Sequence, residues 1–384
     1  MNIVEVKTIQ AISHNQSAYQ ASLELYHQLG APRSGFVLFY CSAAYPLLDL
    51  GKALKKQFID VELAGCTTAG ETTRHGYHQH SIVAIWFNPD FFSISSSVVM
   101  SIEDFDLITA QRQINQLREE CATSIVNFGA AKPFLITLID GLSAQEEKFL
   151  NTLNSAANGI PHFGGSAGDD INLANTHVFH HGTFIHNAAV VVMVHSRCRF
   201  EVFQSHHISN SKHKMVVTDA DPHSRIVYEL NSEPAAKEYA NFLGISVEEL
   251  TPETFALHPL AVKIGDRYYS RSIQKVNPED LSLSFYCAVD IGIVLNTVEM
   301  RDIVTSLETT LYDLQQRHLY PETVLACDCV LRRLEIEQKD QMMDMARLQQ
   351  KFKVFGFNTY GEHLNGVHLN QTFTGVYISG ECYE

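Results

Sequence analysis

Two short segments of this sequence place glycines beside carboxylate and histidine residues, which are types that can line a small-molecule site. The first is Ile160–Asp170 (IPHFGGSAGDD), with Gly164 and Gly165, and the second is Phe355–Thr372 (FGFNTYGEHLNGVHLNQT). Glycine lets the backbone turn sharply or approach a ligand closely, and carboxylate, amide and imidazole groups are common polar linings of pockets. A pair of tight turns with solvated side chains is the alternative interpretation.

Charged side chains also accumulate in the C-terminal part of the chain. Arg271 lies in the alternating segment YYSRSI, which predicts a strand that points this side chain away from its neighbours. Arg332 begins a predicted helix directly after a strand, where a side chain can face a ligand. Two arginines can hold a carboxylate through paired hydrogen bonds. An internal salt-bridge set with Asp328 and Glu362 is an equally open interpretation.

Histidine and cysteine are the residues that could bind a metal or act as nucleophiles. The nineteen histidines are many for this length, and neutral imidazole binds zinc, iron and haem, although surface positions would explain most of them. The eight cysteines include no CxxC pair, which argues against a structural zinc site and favours buried, reduced thiols. A cysteine–histidine enzyme using Cys41, Cys66 or Cys329 lacks any supporting motif, so we expect no enzyme.

Composition narrows the functional class further. A chain of 384 residues with 45% hydrophobic and 18% charged residues is long enough for two folded domains. The net charge of −15 and the absence of a Lys/Arg cluster argue against nucleic-acid binding. The N-terminus does not resemble a signal peptide, and the apolar run Ala188–Val194 is too short to span a bilayer. We therefore expect a soluble, cytoplasmic protein without membrane contact.

The elements that must position these residues follow from hydrophobic spacing. Residues 34–66 predict a strand–helix–strand unit, and residues 81–87 and 91–100 predict a hairpin that turns at residues 88–90. Ser143 and Glu146 predict a capping box for the next helix, and residues 330–352 predict one long helix.

The overall prediction is a mixed α/β (α+β) fold. Its two domains, residues 1–220 and 221–384, would contain mixed sheets covered by helices. Neither a dinucleotide-binding motif nor a P-loop is present in the sequence.

Five segments of the sequence resemble successive motifs of FIST domain proteins. They are CTTAGETTRHGY (66–77), PHFGGSAGDD (161–170), LHPLAVKIGDRYYSRSI (257–273), CDCVLRRLE (327–335) and GFNTYGEHLNGVHLNQT (356–372). The match covers nearly the whole chain in the family's order, with an N-terminal and a C-terminal FIST region. The resemblance implies an intracellular sensor for signal transduction that binds a small ligand. Bacterial members usually work beside histidine kinases or cyclic-di-GMP enzymes.

The resemblance also suggests which ligands and residues to consider. Stand-alone members of about this length include haem-binding nitric-oxide sensors that regulate a partner kinase, and other members have been proposed to bind amino acids. The motif positions implied to bind ligand are Arg271, Arg332, Glu362 and Asn370, together with Gly164 and Gly165. Haem needs an axial histidine or cysteine, and His258 and His368 lie in matching motifs.

Three hypotheses follow from this resemblance. The leading one is a haem-dependent nitric-oxide sensor that regulates a histidine kinase. The second is a module that binds an amino acid or a similar metabolite through Arg271 and Arg332, and the third is a protein-interaction scaffold without a small ligand.

Overall fold

The computed structural model describes residues 5–123, 131–265 and 267–383. Within them, most of the chain forms three repeats of one unit. Each unit contains a first strand, a helix, two parallel strands joined by a helical crossover, a β-hairpin and a last strand. Repeat 1 spans residues 8–87 and repeat 2 spans residues 92–196. Repeat 3 contains residues 198–205 and 303–382, and residues 206–302 form an insert within it.

Repeat 1 contains β1 (Thr8–Ser13), α1 (Ala18–Gln28), β2 (Phe36–Ser42), α2 (Leu47–Gln57), β3 (Glu62–Thr68), β4 (Glu71–Thr73), β5 (Gly76–His78) and β6 (Ile82–Phe87). Repeat 2 contains β7 (Phe92–Met100), α3 (Leu107–Thr123), β8 (Lys132–Ile139), α4 (Glu146–Ala157), β9 (His162–Ser166), β10 (Val178–His180), β11 (Thr183–Ile185) and β12 (Ala188–Ser196).

Repeat 3 begins with β13 (Cys198–Ser205). The insert then contains β14 (Ile208–Asp221), β15 (Ile226–Leu230), β16 (Glu233–Pro234), α5 (Ala235–Leu243), α6 (Pro252–Leu257), β17 (Leu260–Ile264), β18 (Arg267–Arg271), β19 (Ile273–Asn277), β20 (Ser282–Phe285) and β21 (Val294–Met300). Repeat 3 resumes with α7 (Ile303–His318), β22 (Pro321–Cys329), α8 (Val330–Gln338), α9 (Met342–Phe352), β23 (Val354–Thr359), β24 (Glu362–Leu364), β25 (Val367–Leu369) and β26 (Phe373–Cys382).

The hairpin of each repeat adds to the sheet of another repeat. The β4–β5 hairpin of repeat 1 pairs with β23, the β10–β11 hairpin of repeat 2 pairs with β3, and the β24–β25 hairpin of repeat 3 pairs with β9. Three six-stranded sheets with the same order result: β1-β6-β2-β3-β10-β11, β7-β12-β8-β9-β24-β25 and β13-β26-β22-β23-β4-β5. The exchange therefore links the three repeats in a closed cycle.

The predicted hairpin over residues 81–100 is wrong, although both of its strands exist. β6 pairs with β1 and β2 in the first sheet, whereas β7 pairs with β12 in the second. Residues 88–91 therefore carry the chain from one repeat to the next. Strand spacing identifies each strand but does not identify its partner.

The three sheets face a common hydrophobic core. Its members include Phe36, Leu38 and Tyr40 from repeat 1, Phe134, Ile136 and Leu138 from repeat 2, and Leu325, Cys327 and Val376 from repeat 3. Separate clusters form where the helices pack against the outer faces of these sheets. The mixed α/β class predicted from the sequence is confirmed, with helices covering mixed sheets.

One glycine recurs at the same place in each repeat. Gly65, Gly164 and Gly356 lie opposite Phe39, Thr137 and Ala326 in the three parallel strand pairs. A Cβ atom at these glycines would lie 2.3, 1.9 and 1.9 Å from the carbonyl oxygens of those partners. No side chain fits at that separation, so the backbone packing itself requires glycine.

The insert is built on one eight-stranded sheet that includes β16, and its main order is β18-β17-β21-β14-β15-β20-β19. Only Ser272 separates β18 from β19, which lie at opposite edges, so the sheet curves back toward itself. The predicted domain boundary at residues 220 and 221 falls within this sheet, at the end of β14, where Ala220 and Asp221 pair with β15. The two ends of the insert lie side by side, because Ile208 in β14 pairs with Met300 in β21.

The predicted long helix over residues 330–352 is two helices. α8 ends at Gln338 and α9 begins at Met342. Between them, Asp340 adopts a φ of +55°, which a right-handed helix does not allow. The apolar spacing continues through this break, because both helices bury apolar residues against the rest of repeat 3.

We expect Gly164→Ala to lower the free energy of unfolding by at least about 3 kcal/mol, because the added methyl group meets the backbone oxygen of Thr137. Gly380→Ala is the matched control, since its Cβ would lie 3.4 Å from the nearest atom. Urea denaturation of both variants measures the difference. Equal stabilities would contradict the packing role of Gly164.

Candidate functional site

Charged side chains converge where repeats 2 and 3 meet the insert. We call this group the junction cluster. It comprises Glu146 and Glu147 at the start of α4, His363 and His368 on the β24–β25 hairpin, and Arg225, Arg271 and Cys287 of the insert. The hairpin exchange brings α4 and β25 together, because β24 adds to the sheet that contains β9.

Arg225 joins the insert to α4. Its guanidinium Nη2 lies 2.6 Å from the nearest carboxylate oxygen of both Glu146 and Glu147. Its Nη1 donates a 2.8 Å hydrogen bond to the carbonyl of Tyr286. Arg225 is buried and has a φ of +57°, a left-handed conformation that is costly for a residue with a side chain. The ion pairs and the backbone contact hold that conformation in place.

Glu147 connects the arginine to His368. Its second carboxylate oxygen lies 3.1 Å from His368 Nδ1 and accepts a 3.1 Å hydrogen bond from the amide of Ala288. Burial would raise the pKa of Glu147, but the charge and hydrogen bond of His368, together with the charge of Arg225, hold it well below its usual range. The side chain is still 38% exposed, so this carboxylate is accessible from solvent.

A second chain of hydrogen bonds leads from Glu146 into repeat 2. Ser166 Oγ lies 3.5 Å from Glu146 and 3.1 Å from His363 Nε2. His363 Nδ1 lies 2.9 Å from Thr137 Oγ1, so both ring nitrogens have hydroxyl partners. Burial, followed by the charge of His368, lowers the pKa of His363 well below its usual value. His363 is therefore neutral, with one nitrogen donating and the other accepting.

Arg271 and Cys287 lie on the insert side of the junction. Arg271 is half-buried at the end of β18 and donates a 3.0 Å hydrogen bond to the carbonyl of Ser270. Cys287 is buried within electrostatic range of Arg271, Glu147 and Arg225. Burial raises the pKa of Cys287 to about 11, so this thiol is neutral at neutral pH.

Asn370 and Glu362 lie in repeat 3, on either side of the segment that carries His363 and His368. Asn370 donates a 3.5 Å hydrogen bond from Nδ2 to the carbonyl of Tyr360, and its buried Oδ1 has no partner within the described residues. Glu362 accepts hydrogen bonds from Thr359 and from the amide and hydroxyl of Thr372, at 3.0 and 2.8 Å for Thr372. These bonds close the base of the β24–β25 hairpin, so Glu362 has a clear structural role.

Arg332 belongs to a different network. It is buried, with Nε 2.7 Å from Asp328 Oδ1 and Nη1 3.1 Å from His207 Nδ1. His207 Nε2 then lies 2.7 Å from Glu335. The salt-bridge interpretation thus holds with Asp328 as the partner, whereas Glu362 bonds to threonines. Within the described residues, no contact joins Arg332 to Arg271.

The remaining predicted residues lie outside the junction cluster. Gly164 and Gly165 are inside β9, where a Cβ on Gly165 would lie 2.4 Å from Thr359. His258 follows α6 as an exposed side chain, and its carbonyl accepts a 2.5 Å hydrogen bond from Tyr239. The structure therefore places β18, which ends at Arg271, against β25, which carries His368. Ligand contact by any predicted residue stays a prediction.

His368 has the orienting contact of an axial ligand but not the space. Its Nδ1 faces a carboxylate, which is the usual orienting contact of a metal-bound histidine, and its buried Nε2 has no partner among the described residues. However, a Cβ on Gly361 would lie 1.9 Å from this Nε2, which is about a metal–nitrogen bond length, so iron bound there would clash with the backbone of Gly361. His258 is exposed, so its ring is not enclosed as haem would require. The residues therefore do not fit haem in this conformation.

Neither a metal cluster nor a membrane span appears among the described residues. No three histidine, cysteine or acidic side chains there converge as metal ligands. Residues 5–123, 131–265 and 267–383 also contain no helix with the length and apolar character needed to cross a bilayer.

Sequence reasoning missed Arg225, Glu146 and Glu147. The predicted capping box is wrong: Gln145 occupies the N-cap position of α4 without a side-chain cap, and Glu146 instead binds Arg225. The acidic pair at the start of a helix was the available signal. Its partner lies 78 residues away in the chain, at a turn without distinctive spacing.

The fold places a charged cluster where two parts of one chain meet, and comparison with family models shows the class of protein. The FIST N domain model matches residues 35–233, and the FIST C domain model matches residues 235–365. The chain therefore belongs to the FIST family, whose domains are signal-transduction sensors that bind small ligands. No protein with a curated description matches this sequence.

We expect Arg225→Met to lower the free energy of unfolding by about 3–5 kcal/mol, because it leaves the buried carboxylate of Glu146 without a cation. Arg317→Met is the control, since Arg317 and its partner Glu201 are exposed and their pair contributes less than about 1 kcal/mol. Urea denaturation measures both losses. Similar losses in the two variants would contradict the importance of the Arg225 contacts.

Burial raises the pKa of Glu362 to about 8, so between its unfolded value of 4.5 and about 8 the native state retains a proton that the unfolded chain releases. Native stability should therefore fall as pH rises through this window, by up to about 1.4 kcal/mol per pH unit for this group. We expect Glu362→Gln to reduce that slope, with exposed Glu279→Gln as the control. Unchanged slopes in urea titrations from pH 5 to 8 would refute the assignment.

Proposed function

We propose that this chain is a sensor that binds a small ligand at the junction cluster and reports its presence to a partner signalling protein. The carrying observation is that a partly exposed carboxylate, Glu147, and a half-buried guanidinium, Arg271, both lie within electrostatic range of Cys287, where the insert meets repeats 2 and 3. A ligand held between two parts of a fold can favour one arrangement of them, which links binding to a conformational signal.

The ligand class that this charge arrangement favours is an amino acid or a similar zwitterion. Arg271 uses one guanidinium nitrogen for a backbone carbonyl, and the planar group is suited to a ligand carboxylate. Glu147 keeps its carboxylate charged and accessible, which suits an ammonium group. In this proposal Arg271 acts without Arg332, because Asp328 and His207 already hold Arg332.

Haem-dependent nitric-oxide sensing is the second candidate, and His368 is the observation that favours it. The Glu147 contact at Nδ1 leaves Nε2 as the nitrogen that would face iron. Bound haem would supply a site for nitric oxide, but the backbone at Gly361 would first have to move away from this nitrogen. Arg271 and Glu147 both keep solvent-exposed surface, whereas iron at His368 would first need Gly361 to move, so the zwitterion is our first choice.

Binding rather than catalysis is also part of the proposal. Burial raises the pKa of the Cys41, Cys66 and Cys329 thiols well above the usual value, and protonated thiols are poor nucleophiles. For the partner we propose a histidine kinase or a cyclic-di-GMP enzyme, as the family resemblance implies. The ligand-free scaffold is then the outcome in which neither ligand class binds.

The test is calorimetry of the full chain against each of the standard amino acids. We expect at least one to bind, and Arg271→Ala to weaken it roughly 10- to 100-fold through the loss of charge-assisted hydrogen bonds. Lys275→Ala removes an exposed cation from β19, the next strand along the chain, and should leave affinity unchanged. Equal losses in both variants would show a general charge effect and contradict a site at Arg271.

Absorption spectra of the protein mixed with haem separate the second candidate from the first. A stoichiometric Soret band that shifts with nitric oxide and disappears in His368→Ala, but not in His258→Ala, would establish the haem sensor. A band lost only in His258→Ala would place the iron outside the junction. If neither haem nor any amino acid binds, the sensor proposal fails and the scaffold remains.

A further inference from the structure

Two cysteines lie directly opposite each other in the third sheet. In the antiparallel pair β13–β26, Cys198 at the start of β13 is the Cα partner of Cys382 at the end of β26. β13 is the edge strand of this sheet, so only β26 pairs with it there. The register places both side chains on the same face, where they pack against the central core.

Cross-strand geometry of this kind fits a disulfide bond. Directly opposed residues in antiparallel strands have Cα atoms about 4.5 or 5.5 Å apart, and both separations lie within the disulfide range of about 4.4–6.8 Å. The side chain of Cys382 also lies within electrostatic range of the Cys198 thiol. The strand register therefore already gives the two residues a separation that a disulfide can span.

We propose that Cys198 and Cys382 are a modification site that forms a reversible disulfide, with hydrogen peroxide as the oxidant. The Cys382 thiolate attacks one peroxide oxygen, the O–O bond breaks, and a sulfenic acid and hydroxide form. Cys198 sulfur then attacks Cys382 sulfur and displaces the sulfenic oxygen as hydroxide, which leaves as water with the Cys198 proton. Overall, two thiols and one peroxide give one disulfide and two waters.

The surroundings of the two sulfurs set this order of events. Cys382 is half-buried and reachable by peroxide, whereas Cys198 is fully buried. Burial raises the pKa of Cys198 to about 12, with the neighbouring thiol adding to the effect, so Cys198 is the poorer first nucleophile. The charge of Lys7 only partly offsets this effect at Cys198. These contacts assign the first oxidation to Cys382 and the second attack to Cys198.

The disulfide would fix one end of a strand pair whose other end lies beside the start of the insert and the segment after the β24–β25 hairpin. The β13–β26 ladder runs from Cys198–Cys382 to Ser205–Phe373, with a register shift between Cys198 and Phe200. Beyond Ser205 the chain enters the insert, and Thr372 before Phe373 contacts Glu362. The disulfide would therefore tie β13, which leads into the insert, to β26, which follows the β24–β25 hairpin. This inference does not depend on ligand binding.

The test treats the fully reduced, full-length chain with graded hydrogen peroxide and then counts thiols under denaturing conditions. We expect the protein to lose two of its eight thiols and to recover both with dithiothreitol. Non-reducing peptide mass spectrometry should find the peptide of Cys198 joined to that of Cys382. Cys382→Ser should prevent the crosslink, and its half-buried position makes this substitution less disruptive than Cys198→Ser.

Cys121→Ser is the matched control, because Cys121 is a free thiol in repeat 2 and its loss should leave the crosslink intact. Three results would overturn the proposal. One is retention of all eight thiols, another is a disulfide between other cysteines, and the third is sulfinic acid at Cys382 without any crosslink.

Discussion

Hairpin exchange between repeats is the constraint on which the rest of this structure depends. Each two-stranded hairpin would be marginal by itself, and each gains a neighbouring strand only by adding to the sheet of another repeat. The three sheets must therefore form together, and their inner faces meet in one core. The same exchange carries His363 and His368 onto repeat 2, beside the two glutamates of α4. The candidate site is thus a consequence of how the repeats are linked.

The insert adds charge to a junction that the repeats alone would leave incomplete. Arg225 pairs with two acidic side chains, and one of these, Glu147, also contacts His368. A continuous polar path therefore runs from Thr137 through His363, Ser166 and Glu146 to the insert. Removing one member of such a buried network leaves the remaining polar groups buried without hydrogen-bond partners. The network therefore favours a small number of discrete arrangements. Discrete states are what a sensor needs in order to report a ligand.

The sequence predicted the positions of strands and helices better than it predicted which strands pair. Local spacing identified β2, α2, β6 and β7, but the three-repeat pairing depends on contacts between distant parts of the chain. A signal was present: TAGE at 68–71, SAGD at 166–169 and TYGE at 359–362 occupy the same turn in each repeat. Two of the acids, Glu71 and Glu362, are buried, and burial raises the pKa of each to about 8. For the site, motifs found Arg271 and His368, whereas Arg225 has no motif and acts through a fold that spacing does not reveal.

The most direct test of a junction ligand is an experimental structure of the full chain with the ligand that binding measurements select. The proposal predicts ligand density between Arg271 and Glu147, with His368 at its edge and a changed position of the insert relative to α4. Density at another location, with the contacts of Arg225, Glu147 and His368 as they are in the ligand-free structure, would contradict it.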